Sequence, residues 1–359
     1  MAKKLAFDKL LFSTVIVLTV FGLIMVYSAS VVQDRGAGVN RFLVKQSLAA
    51  ALGLAAMWVA MHVDLQRLRR PAVVYTVMLG VFALLLATLL GPEWNDVNRW
   101  LFIGAVSVQP SELAKLAVAI FVAYQIHRQT ERDGDNALLL PCGMVLAAVV
   151  GLILLQPDLG TSALICGVAL LMLFLSGVRK RFFASGAMAL VPLLAAVILT
   201  VDYQRERLMA FLDPGLEPMG MNWQANQSLI AVGSGGLSGV GLAQGVQKLH
   251  FLPHPHSDFI YAVIAEELGF LGAVAVLAVF ALLVWRGAVA GARANEVFGR
   301  YLAWGLTGLV ALQAALHVGV VLKLLPTKGI PLPFISYGGS SLVVCLIAAG
   351  LILNVSQHG

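Results

Sequence analysis

Asp258 stands in the stretch HPHSDFIYAVIAEELG (254–269), and Glu266 and Glu267 follow it inside an otherwise apolar run. A carboxylate at the lip of a polar cavity can take a proton from a hydroxyl, provided it reaches that proton. The plainer reading is that Ser257 or Asp258 caps the helix beginning here, its side-chain oxygen accepting from free N–H groups of the first turn. Glu266 would then lie about 12 Å deeper and about 80° round the helix. Ionisable groups at such depth are costly and usually face a bundle interior or a watery cavity. His254 and His256 flank Pro255. Zinc sites need three or four placed ligands and no Cys joins this pair, so they read as loop histidines and no metal ligands are assigned.

Three further clusters carry candidate chemistry. In GPEWNDVNRWLFIGAVSVQPSELAKLAV (91–118), Ser111 is a natural N-cap and Glu112 suits the helix dipole. Glu112 and Lys115 are three apart and can pair on one face, either as a structural ion pair or lining a substrate cavity. Arg99, beside Trp100, reads as an interfacial anchor or as a bidentate grip on an anionic headgroup. QPDLGTS (156–162) places Asp158 in a short turn, where Pro, Asp and Gly equally serve the turn itself. LPTKGIPLPFISYGGSS (325–341) sets Lys328 and Ser336 among prolines and glycines. Irregular backbone at membrane depth is tolerated only where protein or water shelters it, and its lysine either binds phosphate or snorkels to the interface. GSGGLSGVG (233–241) resembles a phosphate cradle, but it follows no predicted strand and is weak as a nucleotide site.

The elements that must position these residues are membrane helices. The chain is 60% hydrophobic and 12% charged, far from the roughly 25% charged residues of a soluble domain. Candidate spans fall at about 11–32, 44–62, 72–90, 112–126, 138–155, 161–177, 182–201, 258–285, 302–322 and 337–355. These predict an all-α polytopic integral membrane protein with about ten transmembrane helices, a single domain over 1–359. The first run is too long for a signal peptide and reads as an uncleaved span. With the N-terminus inside, most Lys and Arg, including RLRR (67–70) and RKR (179–181), fall inside, and both termini are expected on the cytoplasmic side. All four clusters then fall outside, together with a long loop, 202–257, before the eighth span. Its Gly and Pro content argues against a separate domain, and Trp223, Leu229, Ile230, Leu249 and Phe251 favour packing on the membrane face. Cys142, Cys166 and Cys345 sit in apolar stretches and read as core residues; no basic run points to nucleic acid. A carboxylate base beside Arg and Lys, open to lipid and outer water, suits a lipid-linked anionic substrate with a hydroxyl acceptor. These features alone leave a transporter open.

The motifs FGLIMVYSAS (21–30), NRWLFIG (98–104), QPSELAKL (109–116), QPDLGTS, NQSLIAVGSGGLSGVGL (226–242), FLPHPHSDFIYAVIAEELGFLG (251–272) and LPTKGIPLPFISYGGSSL (325–342) closely resemble the SEDS family (shape, elongation, division and sporulation). They run in family order over nearly the whole chain, and VGLAQGVQKLHFLPHPHSDFI is nearer to the division-type FtsW pattern than to the elongation-type RodA pattern. His254 sits where the family commonly has Glu, and Ser257 where it has Thr. The resemblance implies a peptidoglycan glycosyltransferase of the bacterial cytoplasmic membrane, active on its outer face. The GlcNAc 4-hydroxyl of an acceptor would attack the anomeric carbon of MurNAc in lipid II, expelling undecaprenyl pyrophosphate. Asp258 matches the family's essential aspartate and would be the general base, with Glu266 and Glu267 shaping the polar cavity behind it. Glu112 and Lys115 match an ion pair lining the central cavity. Arg99, Glu112, Lys115, Asp158, Gln227, Lys328 and Ser336 make up the expected substrate-binding set. Cations would stabilise the leaving pyrophosphate, with a divalent ion, Mg²⁺ or Mn²⁺, left open as cofactor. A single-span class B penicillin-binding protein is the implied partner. A lipid II flippase and a non-catalytic division scaffold are the competing readings. Transporters favour midplane sites between repeated halves, whereas the motifs here crowd one face.

Overall fold

The computed structural model describes residues 7–30, 40–91, 98–103, 106–130, 139–178, 202–212, 221–249 and 251–358. Local capping sets where its helices begin. Asp8 opens α1 (Lys9–Ser30) by accepting from the N–H groups of Leu10 and Leu11 at 3.1 and 3.0 Å. Asn40 opens α2 (Arg41–His62) through the Leu43 N–H, and Asp64 opens the short α3 (Leu65–Leu68). Pro71 starts α4 (Pro71–Leu89) at the one helical position where a missing N–H breaks no bond. A small antiparallel hairpin, β1 (Leu101–Ile103) with β2 (Val106–Val108), leads into α5 (Pro110–Thr130). Then come α6 (Leu139–Leu154), α7 (Leu159–Leu175), α8 (Asp202–Leu212), α9 (Met221–Ser234), α10 (Ile260–Arg293), α11 (Val297–Val321) and α12 (Gly339–Ser356).

The centre of the bundle is α5, α11 and α12, whose residues are mostly buried. α2 lies along α12, α1 against α10, and α7 against α5 and α11. The α2–α12 approach is close because Gly350 faces the backbone of Met57, where a Cβ would collide with the Met57 carbonyl. The outward faces are also apolar: Leu48, Leu52, Trp58, Leu79, Leu140, Phe270 and Leu271 are all exposed. Water would not tolerate so continuous an apolar surface, whereas lipid does. Among the described residues six helices are long and apolar enough to cross a membrane, with α6 and α7 as shorter apolar helices. The chain is a multi-pass membrane protein.

The expected spans recur as helices within a few residues, except 182–201, which lies outside the described residues. Two expectations change. The 202–257 connection is partly helical: α8 and α9 occupy much of it, and Ser228 on α9 anchors to the Val321 carbonyl at 2.8 Å. The eighth span, α10, is longer than expected and broken at Gly269, whose φ of 67° and ψ of −168° are not helical. The glycine-rich segment after α9 packs into that break. Gly239 and Gly241 lie in the left-handed region, and the N–H groups of Val240 and Gly241 donate to the carbonyls of Glu266 and Glu267 at 3.0 Å. In return Phe270 and Leu271 donate to Gly236 and Leu237 at 2.8 and 3.1 Å. A Cβ at Gly235 or Gly239 would strike the Ala265 or Glu267 carbonyl. GSGGLSGVG is therefore a backbone dock for a broken helix, which accounts for its glycines without a phosphate.

Candidate active site

Asp258 sits on the loop entering α10, and three other loops converge around it. The helix begins at Ile260 with Phe259 at its cap and no side-chain cap bond, so the Asp258 carboxylate is not engaged in capping. The loop is tied from behind. Ser336 donates its hydroxyl to the Ser257 carbonyl at 2.6 Å and accepts from the Leu332 N–H at 2.8 Å, while the Tyr337 N–H donates to the His256 carbonyl at 2.8 Å. Gln46 on α2 holds both the Ser336 carbonyl, at 3.0 Å, and the Gly338 N–H, at 3.1 Å. Phe42, His256 and Tyr337 stack as a ring cluster beneath, with centroids 4.5 to 5.3 Å apart. His254 and Phe334 hold left-handed backbones at φ 50° and 63°, a strain that this web of contacts enforces. The 328–329 backbone passes beside the carboxylate: a Cβ on Gly329 would stand 3.2 Å from an Asp258 oxygen.

Cations gather at the same place. Arg99 donates to the carbonyls of Gln156 and Pro157 at 2.8 and 2.6 Å, gripping the turn before α7. Asp158 caps α7 by accepting the Thr161 N–H at 3.0 Å and its hydroxyl at 2.8 Å. Arg207 of α8 donates to the Thr327 carbonyl at 2.9 Å, next to Lys328. Burial pushes the Asp258 carboxyl above the usual range, against the pull of His254, the Ser257 hydroxyl, Arg207 and Arg99. Burial also draws Lys328 below the usual ammonium range; Asp158 opposes this and Arg207 reinforces it. His256 is lowered to about 4 by burial and by its neighbour His254, so it is neutral at physiological pH. The result is a partly buried carboxylate facing His254, Arg99 and Arg207, with Lys328 alongside.

The remaining candidates lie below or beside this site. Glu112 and Lys115 pair at 2.6 Å, both almost fully buried. Lys115 also donates to Gln313 at 2.9 Å, and Gln313 donates to the Pro331 carbonyl at 2.8 Å. One turn on, a His317 ring nitrogen lies 2.7 Å from the Ile330 carbonyl. The ion pair thus supports the 328–331 segment from inside the bundle. α5 starts at Pro110, so Ser111 is not the cap; its hydroxyl is buried within the first turn. Glu266 accepts from the Val246 and Gln247 N–H groups at 2.7 and 3.1 Å. Glu267 takes the Ser28 hydroxyl at 2.7 Å, the Ala243 N–H at 3.1 Å and Lys248 at 2.5 Å. Both glutamates thus anchor the 243–248 loop. Gln227 is buried on α9, and none of the contacts above involves it.

Sequence reasoning passed over Arg207, Gln46, Lys248, Gln313 and His317. Gln313 and His317 had a readable signal, two polar residues one turn apart in an apolar helix. Arg207 had none beyond its charge. Among the described residues no group of three or more His, Cys, Asp or Glu is placed to hold a metal ion.

A family model described as cell cycle protein, spanning FtsW, RodA and SpoVE, matches residues 8–359. A probable peptidoglycan glycosyltransferase FtsW of Geobacter metallireducens is 41% identical over 358 residues, covering 98% of this chain and 95% of that protein. Among solved structures, a chain from a peptidoglycan synthase complex that coordinates polymerization and crosslinking superposes with a TM-score of 0.80. It is 28% identical, with 98% of each chain covered. The rod shape determining protein RodA of Thermus thermophilus superposes with a TM-score of 0.72 at 28% identity, covering 98% of this chain and 97% of that one.

Proposed function

This chain belongs to the cell cycle protein family of FtsW, RodA and SpoVE, and we propose that Asp258 is the general base of its reaction. The protein is a peptidoglycan glycosyltransferase that polymerises glycan strands in cell division. In this reading the substrate is lipid II. Asp258 takes the proton of the acceptor GlcNAc 4-hydroxyl as that oxygen bonds to the anomeric carbon of the donor MurNAc. The C1–O bond to undecaprenyl pyrophosphate breaks, and the bonding electrons leave with the phosphate oxygen. Arg99, Arg207 and Lys328 line the exit of that negative charge, supplying the cation clamp that phosphate leaving groups require. The observation that carries this is the freedom of Asp258: its neighbours are anchored by internal bonds, yet its carboxylate caps no helix and burial raises its basicity.

A resident divalent cation fits this donor set poorly, because Asp158 commits both oxygens to Thr161 and, among the described residues, leaves Asp258 as the one carboxylate facing the cations. The arginines and the lysine serve in its place. Ser336, Gln46 and the Glu112–Lys115 pair act by positioning the loops. The reading extends to a single-span class B penicillin-binding protein as partner, a cytoplasmic-membrane location, cytoplasmic termini and an outward-facing site. It is supported by the likeness to the synthase-complex chain and by the basic cluster Arg67, Arg69 and Arg70 at the end opposite Asp258.

The test gives labelled lipid II to purified protein, with and without its transpeptidase partner, comparing wild type with Asp258→Asn. Wild type should form glycan chains and the variant should lose about 10²–10⁴-fold of that rate with an unchanged melting temperature. Equal polymer from both removes Asp258 as the base. No polymer from either, with partner and Mg²⁺ or Mn²⁺ present, favours the flippase or the scaffold.

A further inference from the structure

At the end of the bundle opposite Asp258, where α4 begins and α5 ends, lies a cavity of about 490 Å³. Arg69, Arg70 and Arg128 line it with His127, Tyr124 and Gln66, and among the described residues no carboxylate does. Arg69 has a partner at the rim, Glu296 at 3.2 Å. Among the described residues no hydrogen bond or ion pair engages the Arg70 or Arg128 side chain. The start of α4 at Pro71 forms part of the wall, and Arg70 gives that helix end no side-chain cap. Basic residues on one side of a membrane protein need only face the headgroups to satisfy topology. These converge instead from the α3–α4 junction and the last turn of α5 on a space of ligand size. Guanidinium groups converging on a cavity, two of them unengaged among the described residues, are the chemistry that recognises phosphate.

We propose that this cavity binds the phosphate of an anionic phospholipid headgroup. A route for the acyl chains adjoins it. Tyr124 at the cavity stacks edge-on with Tyr75 of α4 at 6.1 Å. Tyr75, Leu79, Leu86 and Leu90 continue as exposed apolar residues at helical spacing up the same helix and its cap. A soluble phosphate compound would have no use for that stripe, whereas a lipid anchored by its headgroup lies along it. Basic pockets between helices at the cytoplasmic side are suited to such headgroups. The site lies about 28 Å of helix away from the catalytic end, so its occupancy is separable from the sugar transfer.

The test uses full-length protein in detergent, with native mass spectrometry counting bound phosphatidylglycerol against phosphatidylcholine of equal chain length. Wild type should retain phosphatidylglycerol selectively. R70Q and R128Q should each weaken it about fivefold and the double variant about 25-fold, whereas R293Q, a basic residue of the same end outside the cavity, should stay within about twofold. Melting temperature and lipid II polymerisation, followed in the same samples, identify folded variants. The single variants give an independent reading if the double variant proves unstable. Equal retention by R70Q, R128Q and wild type, or a loss in R293Q as large as theirs, overturns the site. Inorganic phosphate that binds alone as tightly as phosphatidylglycerol overturns the lipid assignment.

Discussion

Asp258 and Glu267 are neighbours along one entry into the membrane, yet their surroundings are opposites. Glu267 is fully buried and engaged on both oxygens by Ser28, Ala243 and Lys248. Asp258 faces cations on several sides but caps nothing, and the bonds around it hold its backbone and its neighbours instead. One carboxylate builds the fold and the other is presented by it. The difference shows that depth and burial alone do not mark a catalytic acid; what marks it is a carboxylate that faces cations without serving as a cap or a structural ion pair.

The two carboxylates should therefore fail in opposite ways. Asp258→Asn should cut polymerisation about 10²–10⁴-fold and leave melting untouched. Glu267→Ala leaves Lys248 buried without its partner and should cost about 3–5 kcal/mol of stability, seen as a large drop in melting temperature. Replacing both, as Glu267→Gln with Lys248→Met, should recover much of that stability, because no unpaired charge remains. If Glu267→Ala melts like wild type but makes no polymer, the division between architectural and catalytic carboxylates is wrong.

Ser336→Ala asks which side of the division a positioning residue falls on. Its hydroxyl joins Leu332 to Ser257, directly before Asp258. Losing it should cost about 1–2 kcal/mol of stability and lower the polymerisation rate about tenfold, since small misplacement of a base is expensive. A fall in lipid II affinity with an unchanged maximal rate would make Ser336 a substrate contact instead.

Much of this was legible in the sequence, and what was not has physical reasons. Apolar runs located the helices because lipid forces every backbone group to bond within its own helix or its neighbours. The break at Gly269 was hidden because α10 keeps its apolar composition through it, and the chain that repairs the break, 236–241, lies far away along the sequence. The same distance disguised GSGGLSGVG, whose glycines answer to carbonyls some thirty residues on. Asp258 stood out by type and position. The engagement of Glu266 and Glu267 could not be read, because their partners, Ser28 and the 243–248 loop, are brought to them only by tertiary packing. Asp158 and Glu112 show the same limit: the spacing proposes a cap or a pair, and only the fold shows what each supports.

The smallest expected effect is the most discriminating. A general base works when deprotonated, so polymerisation must fall as pH drops through the Asp258 pKa. Burial raises that pKa, which places the acid limb above the ordinary aspartate range, while the positive charges of His254, Arg207 and Arg99 hold it down. His254 is the largest of these opposing influences, and its side chain is exposed, so it can be changed with little disturbance. His254→Asn tolerates the left-handed backbone at this position and removes a cation. The acid limb should move to higher pH while the plateau rate stays close to wild type. His254→Glu, which installs an anion, should move it further in the same direction. The ordering of the three limbs, His lowest and Glu highest, is the check, measured as initial polymerisation rate against pH. Three superimposable limbs would mean that the group titrating in the rate is not Asp258. The contrast between the presented carboxylate and the buried one would then need another base to explain it.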